Sequence, residues 1–221
     1  MVINFSLIKY KASIIITTFN RRKKVLNALD SVFKQSYKNF EIIMIDDGSD
    51  DNTEKDLVNL MKSNQNFKYL KHSNRGTALS LNSGIQLSTG KFITFLDSDD
   101  LYEPEHIEKR IEYFEKHPNV DVIYTSAKII GNDNDMYVPD ARNSKKLIHI
   151  SKCVIGATIF GKSNVFKSLG GFQNIYAYDY DFIKRAKQKF VVKRVNMPTY
   201  LYYRNSHDSI LTRYKKLNFI K

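Results

Sequence analysis

The stretch FITFLDSDDLYEP, residues 92–104, sets the carboxylates of Asp97, Asp99 and Asp100 almost side by side, directly after a strongly apolar run. Like charges that close repel one another unless a cation sits among them. Two chemistries fit the spacing. A divalent metal prefers hard carboxylate oxygens and would neutralise the cluster. A solvated turn whose aspartates cap the following helix would leave the charges in water, since Asp is a favoured N-cap. What the rest of the chain brings to the same place decides between them.

The elements that must position these groups are legible in the hydrophobic pattern. ASIIITTF (12–19) and FEIIMIDD (40–47) are continuous apolar, β-branched runs, the mark of strands buried on both faces. Between them Val25, Leu26, Leu29, Val32 and Phe33 recur at helical spacing. DNTEKDLVNLM opens a second helix, with Asp51 and Glu54 spaced as an N-cap and its N3 partner. FKYLKH reads as a strand, GTALSLNSGIQLS as a helix and KFITFLD as a fourth strand. PEHIEKRIEYFEKHP is the next helix, with Pro104 in its first turn and Asp100 as the expected cap, and VDVIYTSAKII is a fifth strand. Strand and helix alternating at short intervals predict an α/β fold with a mostly parallel central sheet flanked by helices.

In open sheets of this kind, ligands bind beyond the carboxyl ends of the strands. Those ends read Thr17-Thr18-Phe19-Asn20, Asp46-Asp47-Gly48-Ser49, His72-Ser73-Asn74-Arg75 and Asp97-Ser98-Asp99-Asp100. Carboxylates gather on one rim twice, which favours a site over a bare turn. No G-x-G-x-x-G follows the first strand and no G-x-x-x-x-G-K-[ST] occurs, so neither phosphate-cradling loop is present. An acidic rim suits a metal-bridged diphosphate better than a bare phosphate.

Composition bounds the setting. A chain of 221 residues is expected to form one domain with a proper core. Its single cysteine, Cys153, forbids an intrachain disulfide, and no apolar run approaches the ~20 residues of a membrane span. The start, MVINFSLIKYK, lacks the features of a secretory signal, so a cytoplasmic location is expected. The formal charge of +12 is compatible with nucleic acid, an anionic membrane face or a phosphorylated small molecule. The cations form no stripe with interleaved aromatics, so nucleic acid is not expected as a partner. The tail RYKKLNFIK (213–221) mixes Lys and Arg with apolar residues, which suits either peripheral contact with the inner face of a membrane or a solvated terminus.

Four blocks, SIIITTFNR, EIIMIDDGSDDNT, NRGTALSLNSGIQLSTGKFITFLDSDD and GGFQNIYAYDYDFIKRA, resemble family 2 glycosyltransferases in order and spacing, over about residues 12–212. The resemblance implies the GT-A fold, a single Rossmann-like domain. Its donor half would span about residues 12–100, its acceptor half about 101–212, with a basic tail at 213–221. It places the nucleotide-sugar donor, UDP-sugar favoured, at Thr17, Phe19, Asp47, Arg75, Asp97 and Ser98. Asp99 would hold Mn²⁺ or Mg²⁺, and Arg204 or His207, from the closing YYRNSHDS, would reach the diphosphate or the metal. Asp179 would be the general base of an inverting transfer, with Asp181 as the alternative on the next turn.

Two positions depart from the family's pattern. Tyr178 stands where the usual pair has Glu before Asp, and Thr17 stands where many relatives have Pro. The acceptor would be a glycan or lipid-linked hydroxyl, in cell-surface polysaccharide synthesis, and residues 131–149, on the acceptor side, match no pattern. Two other readings stay open: a non-catalytic nucleotide-sugar-binding or scaffold domain, which Tyr178 favours, and a sugar-phosphate nucleotidyltransferase, against which stands the lack of a Gly-rich basic loop at the first strand.

Overall fold

A computed structural model describes residues 12–204. The first half is the alternation the sequence predicts: β1 (Ala12–Thr18), α1 (Arg22–Phe33), β2 (Phe40–Asp46), α2 (Thr53–Ser63), β3 (Phe67–Lys71), α3 (Thr77–Leu87) and β4 (Phe92–Asp97). After it come β5 (Leu101–Tyr102), α4 (His106–Lys116), β6 (Val122–Thr125), β7 (Lys128–Ile130), β8 (Tyr137–Asp140) and β9 (Asn143–His149). The described chain closes with β10 (Ile159–Lys162), α5 (Ser163–Ser168), α6 (Tyr178–Ala186), β11 (Val192–Val195) and β12 (Tyr200–Tyr203).

Seven strands form the central sheet in the order β11-β6-β10-β4-β1-β2-β3, and only β10 runs against the others. Every residue of β1 and β2 is buried, as a parallel strand covered on both faces requires. Ile14, Ile15, Ile16, Ile42 and Ile43 are fully buried, each contributing about 1.5–3 kcal/mol. Helix α3 lies so close to β1 that a Cβ on Gly84 would run into the Ile15 side chain. On the other side of the sheet's centre, Phe92, Phe114 and Phe160 pack with ring centroids 4.9–5.5 Å apart.

Several sequence expectations are corrected. The run read as a fifth strand divides at Ser126: β6 joins the central sheet, whereas β7 pairs with β12 in a small sheet β5-β12-β7. An apolar run cannot reveal that its two ends serve different sheets. No capping box opens α2: Asn52 lies there in the left-handed region (φ 65°), and the Asp51 carboxylate instead accepts from the backbone N–H of Thr53 and of Arg22, joining α2 to α1. Helix α4 starts after Glu105, beyond Pro104, and β5 separates it from Asp100. Asp100 is therefore no helix cap; its buried carboxylate has other partners, described below. Residues 131–149, which matched no pattern, form a 3₁₀ turn and the antiparallel β8–β9 hairpin.

Candidate functional site

The parallel strands β1, β2 and β4 end on one edge, and their loops line a cleft of about 1000 Å³. The β2 loop is built by two adjacent carboxylates. Asp46 Oδ1 accepts the Ser49 N–H at 2.8 Å and Oδ2 the Tyr69 hydroxyl at 3.0 Å, so Asp46 closes the turn. Gly48, at φ 91°, is needed there, because a side chain would also strike the Asn74 backbone. Asp47 accepts the backbone N–H groups of Arg75 and Gly76, each at 2.9 Å, and thereby fixes the β3–α3 loop at the cleft. The β1 loop is tied to the same turn: Asn20, left-handed at φ 52°, donates its N–H to Ser49 Oγ and accepts the Asp50 N–H on its side chain.

At the end of β4 and just past it, Asp97 and Asp99 face the cleft, while Ser98 is buried beside it. Arg21 reaches across from the β1 loop to within 3.0 Å of Asp99. Burial and the neighbouring Asp99 push the Asp97 carboxyl up to about 7, against the pull of Arg21. Asp100 turns the other way: its carboxylate accepts the Tyr200 hydroxyl at 2.6 Å and the Tyr203 N–H at 2.7 Å. The third carboxylate of the cluster is thus a clasp that holds β12 against the turn. Arg204, just past β12, is buried with its guanidinium over the Tyr202 ring, and it also lines the cleft.

Asp179 enters from the other half of the chain, in the first turn of α6. Ala177 precedes the helix at φ 53°, a conformation costly for a residue with a Cβ and one that clusters at functional sites. Burial pushes the Asp179 carboxyl up to about 6, opposed by hydrogen bonds from the backbone of Tyr180 and Gly156. Tyr178 packs its ring against Phe172 at 5.3 Å, and burial, then Asp97 and Asp179, holds its phenol well above the usual range. Tyr178 therefore stays neutral beside the two acids, where a glutamate would add a third negative charge.

Of the sequence-predicted residues, Thr17, Phe19, Asp47, Asp97, Ser98, Asp99 and Asp179 line this one cleft. Arg75 does not: only its backbone takes part, and its exposed guanidinium lies along α3 at 2.5 Å from Ser83 Oγ. Asp181 is held by Arg185 at 2.7 Å, away from the cleft lining. His207 and the 213–221 tail lie outside the described residues. Arg21 and Tyr200 were missed as site residues, because no local spacing shows that either side chain reaches the aspartate cluster.

A model of the family described as "Glycosyl transferase family 2" matches residues 13–208. The chain belongs to glycosyl transferase family 2. Among curated members, an uncharacterized glycosyltransferase of Rickettsia prowazekii is 34% identical over 180 residues, covering 77% of this chain and 56% of that protein. One from Haemophilus influenzae is 31% identical over 211 residues, covering 90% of this chain and 71% of that protein. The match thus spans little more than half of the Rickettsia relative. Solved GT-A structures share the family fold: S. aureus TarS 1–349 superposes with a TM-score of 0.71 at 23% identity, covering 87% of this chain and 60% of TarS 1–349. The mannosyltransferase PcManGT from Pyrobaculum calidifontis, in complex with GDP-Man and Mn²⁺, gives 0.69 at 18% identity, covering 94% and 60%.

The cluster suits a hard cation in its donor chemistry. Asp97 and Asp99 offer carboxylate oxygens, and burial, then the neighbouring Asp99, raises the Asp97 carboxyl, a shift that a cation between the two would oppose. No group of three or more His, Cys, Asp or Glu side chains that could hold a metal forms among the described residues. Mg²⁺ and similar ions need no such cage, since phosphate oxygens and water complete their shells.

Proposed function

We propose that this chain is a metal-dependent, inverting glycosyltransferase that moves a hexosyl or N-acetylhexosaminyl group from a nucleotide-diphosphate donor, UDP-sugar favoured, to a hydroxyl of a glycan or lipid-linked acceptor. The observation that carries the reading is that Asp179, from the second half of the chain, faces the same cleft as Asp97 and Asp99, from the first. Thr17, Phe19 and Asp47, at the ends of β1 and β2, take the base and ribose. Residues 12–100 are then the donor half and 101–212 the acceptor half of one domain.

The chemistry follows from the two carboxylate environments. Asp179 accepts the proton of the acceptor hydroxyl while that oxygen bonds to the anomeric carbon. The bond from that carbon to the diphosphate oxygen breaks on the opposite face, its electron pair leaving with the nucleoside diphosphate. A base poised near 6 is mostly ionised at neutral pH and still takes up a proton readily. Asp99, with Asp97 beside it, would hold Mn²⁺ or Mg²⁺, which supplies positive charge against the departing diphosphate. Neutral Tyr178 packs beside Asp179 in place of the family's glutamate.

TarS and PcManGT, solved with UDP-GlcNAc and with GDP-Man and Mn²⁺ respectively, support a nucleotide-sugar donor. Synthesis of a cell-surface polysaccharide at the cytoplasmic side of a membrane is the setting this reading implies. Among the described residues no helix is long and apolar enough to cross a membrane. Calorimetric titration of UDP with and without Mn²⁺, on the natural chain and on Asp99→Ala, tests the donor site. Binding that requires Mn²⁺ and disappears in Asp99→Ala is expected; UDP binding indifferent to both overturns the metal assignment.

A further inference from the structure

The order of the central sheet divides the cleft into two unlike halves. β4 stands in the middle, with Asp97 at its end. On the β1–β2 side the lining carries Asp47 and, from the loop after β4, Asp99, whose charge Arg21 pairs at 3.0 Å. On the β6–β11 side it carries Tyr124, Lys187 and Arg194, with Lys152 from the loop after β9. Nucleotide and acceptor must meet where Asp97 and Asp179 meet, so the β6–β11 half is left for the acceptor.

Three cations of that half, Lys152, Lys187 and Arg194, are poorly compensated. Arg194 donates to the Ser151 carbonyl at 2.6 Å, and the Lys187 ammonium lies 5.7 Å from the centre of the Tyr124 ring. Among the described residues, no carboxylate pairs with Lys152, Lys187 or Arg194. Asp140, the other acid of this half besides Asp179, is already occupied by both arms of Arg142. Cys153, next to Lys152 in the chain, lines the same cleft. Exposed cations with no counter-ion, brought to one side of a concave site, offer charge-assisted hydrogen bonds to an anion, and a guanidinium matches phosphate geometry well. Val154, Ile155 and Ile175 give the same half an apolar flank.

We infer that the acceptor carries a phosphate group, held by Lys152, Lys187 and Arg194 while its hydroxyl faces Asp179. This rests on the reading of the cleft as a transferase site and names the class of its second substrate. The phosphate belongs either to a lipid-linked acceptor, whose chain lies on the apolar flank, or to a soluble polyol or sugar phosphate.

The test is binding to the full chain saturated with UDP and Mg²⁺, so that phosphate cannot enter the donor half. Octyl phosphate and glycerol 3-phosphate are the anionic probes; octyl glucoside and glycerol are their neutral counterparts. The expected result is anionic binding at least about ten-fold tighter than neutral, weakened by salt, and about ten-fold weaker again in Lys152→Ala/Lys187→Ala/Arg194→Ala. Octyl phosphate binding better than glycerol 3-phosphate indicates the lipid-linked source, and equal binding the soluble one. Neutral probes binding as tightly, or a triple variant that keeps the affinity, overturns the inference. Should the triple variant fail to fold, Lys152→Ala and Lys187→Ala, both at exposed positions, carry the same comparison. UDP affinity in each sample, with probe titrations repeated without UDP, reports the donor reading separately: ester binding with no UDP binding brings down that reading and leaves this one standing.

Discussion

The two edges of the central sheet each bury carboxylates, and they treat them in opposite ways. At the edge where β1 and β2 begin, Glu41 is wholly buried. Its Oε1 accepts the Ser13 hydroxyl at 2.6 Å and the Thr89 N–H and hydroxyl at 2.6 and 2.8 Å, while Oε2 meets the Lys68 ammonium at 2.7 Å. Burial alone would raise its pKa, but Lys68, Ser13 and Thr89 together hold it below the usual carboxylate range. At the opposite edge burial, then the neighbouring acids Asp99 and Asp179, pushes Asp97 up to about 7 against the pull of one cation, Arg21. The same residue chemistry thus holds the fold together at one edge. At the other, the buried acids outnumber Arg21, at a cost to the folded state that a bound cation would relieve.

The comparison breaks first at Asp179. Asp179→Asn removes the proposed base and keeps the shape, so transfer should fall by about 10²–10⁴-fold with UDP affinity nearly unchanged. In the natural chain the rate should rise with pH and level off above about 6, because the carboxylate must be ionised to accept a proton. Steady-state rates across pH, beside UDP titrations, check both; an Asn variant with most of the activity removes Asp179 from the mechanism.

At the other edge, Glu41→Ala leaves the Ser13 and Thr89 donors without their acceptor and should cost about 2–3 kcal/mol in urea unfolding at neutral pH. The sign of its pH dependence is set by the lowered folded-state pKa. Glu41's contribution is complete above its unfolded value near ~4.3 and is lost as pH falls through the folded one. The gap between natural chain and variant should therefore close in acid. A gap independent of pH would mean that lost packing, not charge, sets the cost.

Tyr200→Phe sharpens the contrast inside the cleft edge. The hydroxyl that reaches Asp100 at 2.6 Å is lost, leaving a buried acid with the Tyr203 N–H as its remaining partner, for about 1–2 kcal/mol. Thermal unfolding measures that cost. Because the Tyr200 hydroxyl also lies 3.3 Å from the Asp97 N–H, Mn²⁺-dependent UDP affinity should weaken as well. The smallest effect belongs to Arg75→Ala: its guanidinium is exposed and lies on Ser83, so donor affinity should change by less than about two-fold. A ten-fold loss in UDP titration would show that the β3–α3 loop swings the side chain into the cleft when donor binds.

How much was legible depended on whether a signal was local. The largely apolar runs of β1, β2 and β4 could be read directly, since a strand covered on both faces is apolar along most of its length. Their polar C-terminal residues then marked the rim, and family resemblance supplied Asp179 at the head of α6. By contrast, the division of 120–130 between two sheets, the Arg21–Asp99 pair and the attachment of Asp100 to β12 join residues distant in sequence. No spacing rule reaches that far.

By itself, the sequence determined the α/β alternation, the acidic rim and the family, because each is written in short-range pattern or in motif order. Only the tertiary structure decided which carboxylates face the cleft and which are tied into the fold. Asp97, Asp99 and Asp100 sit on one short segment, yet Asp100 is turned into the protein onto Tyr200 and Tyr203 while Asp97 and Asp99 face the cleft. An aspartate's charge state depends on burial and on the partners that distant strands bring within hydrogen-bond reach, and those exist only once the chain has closed around it.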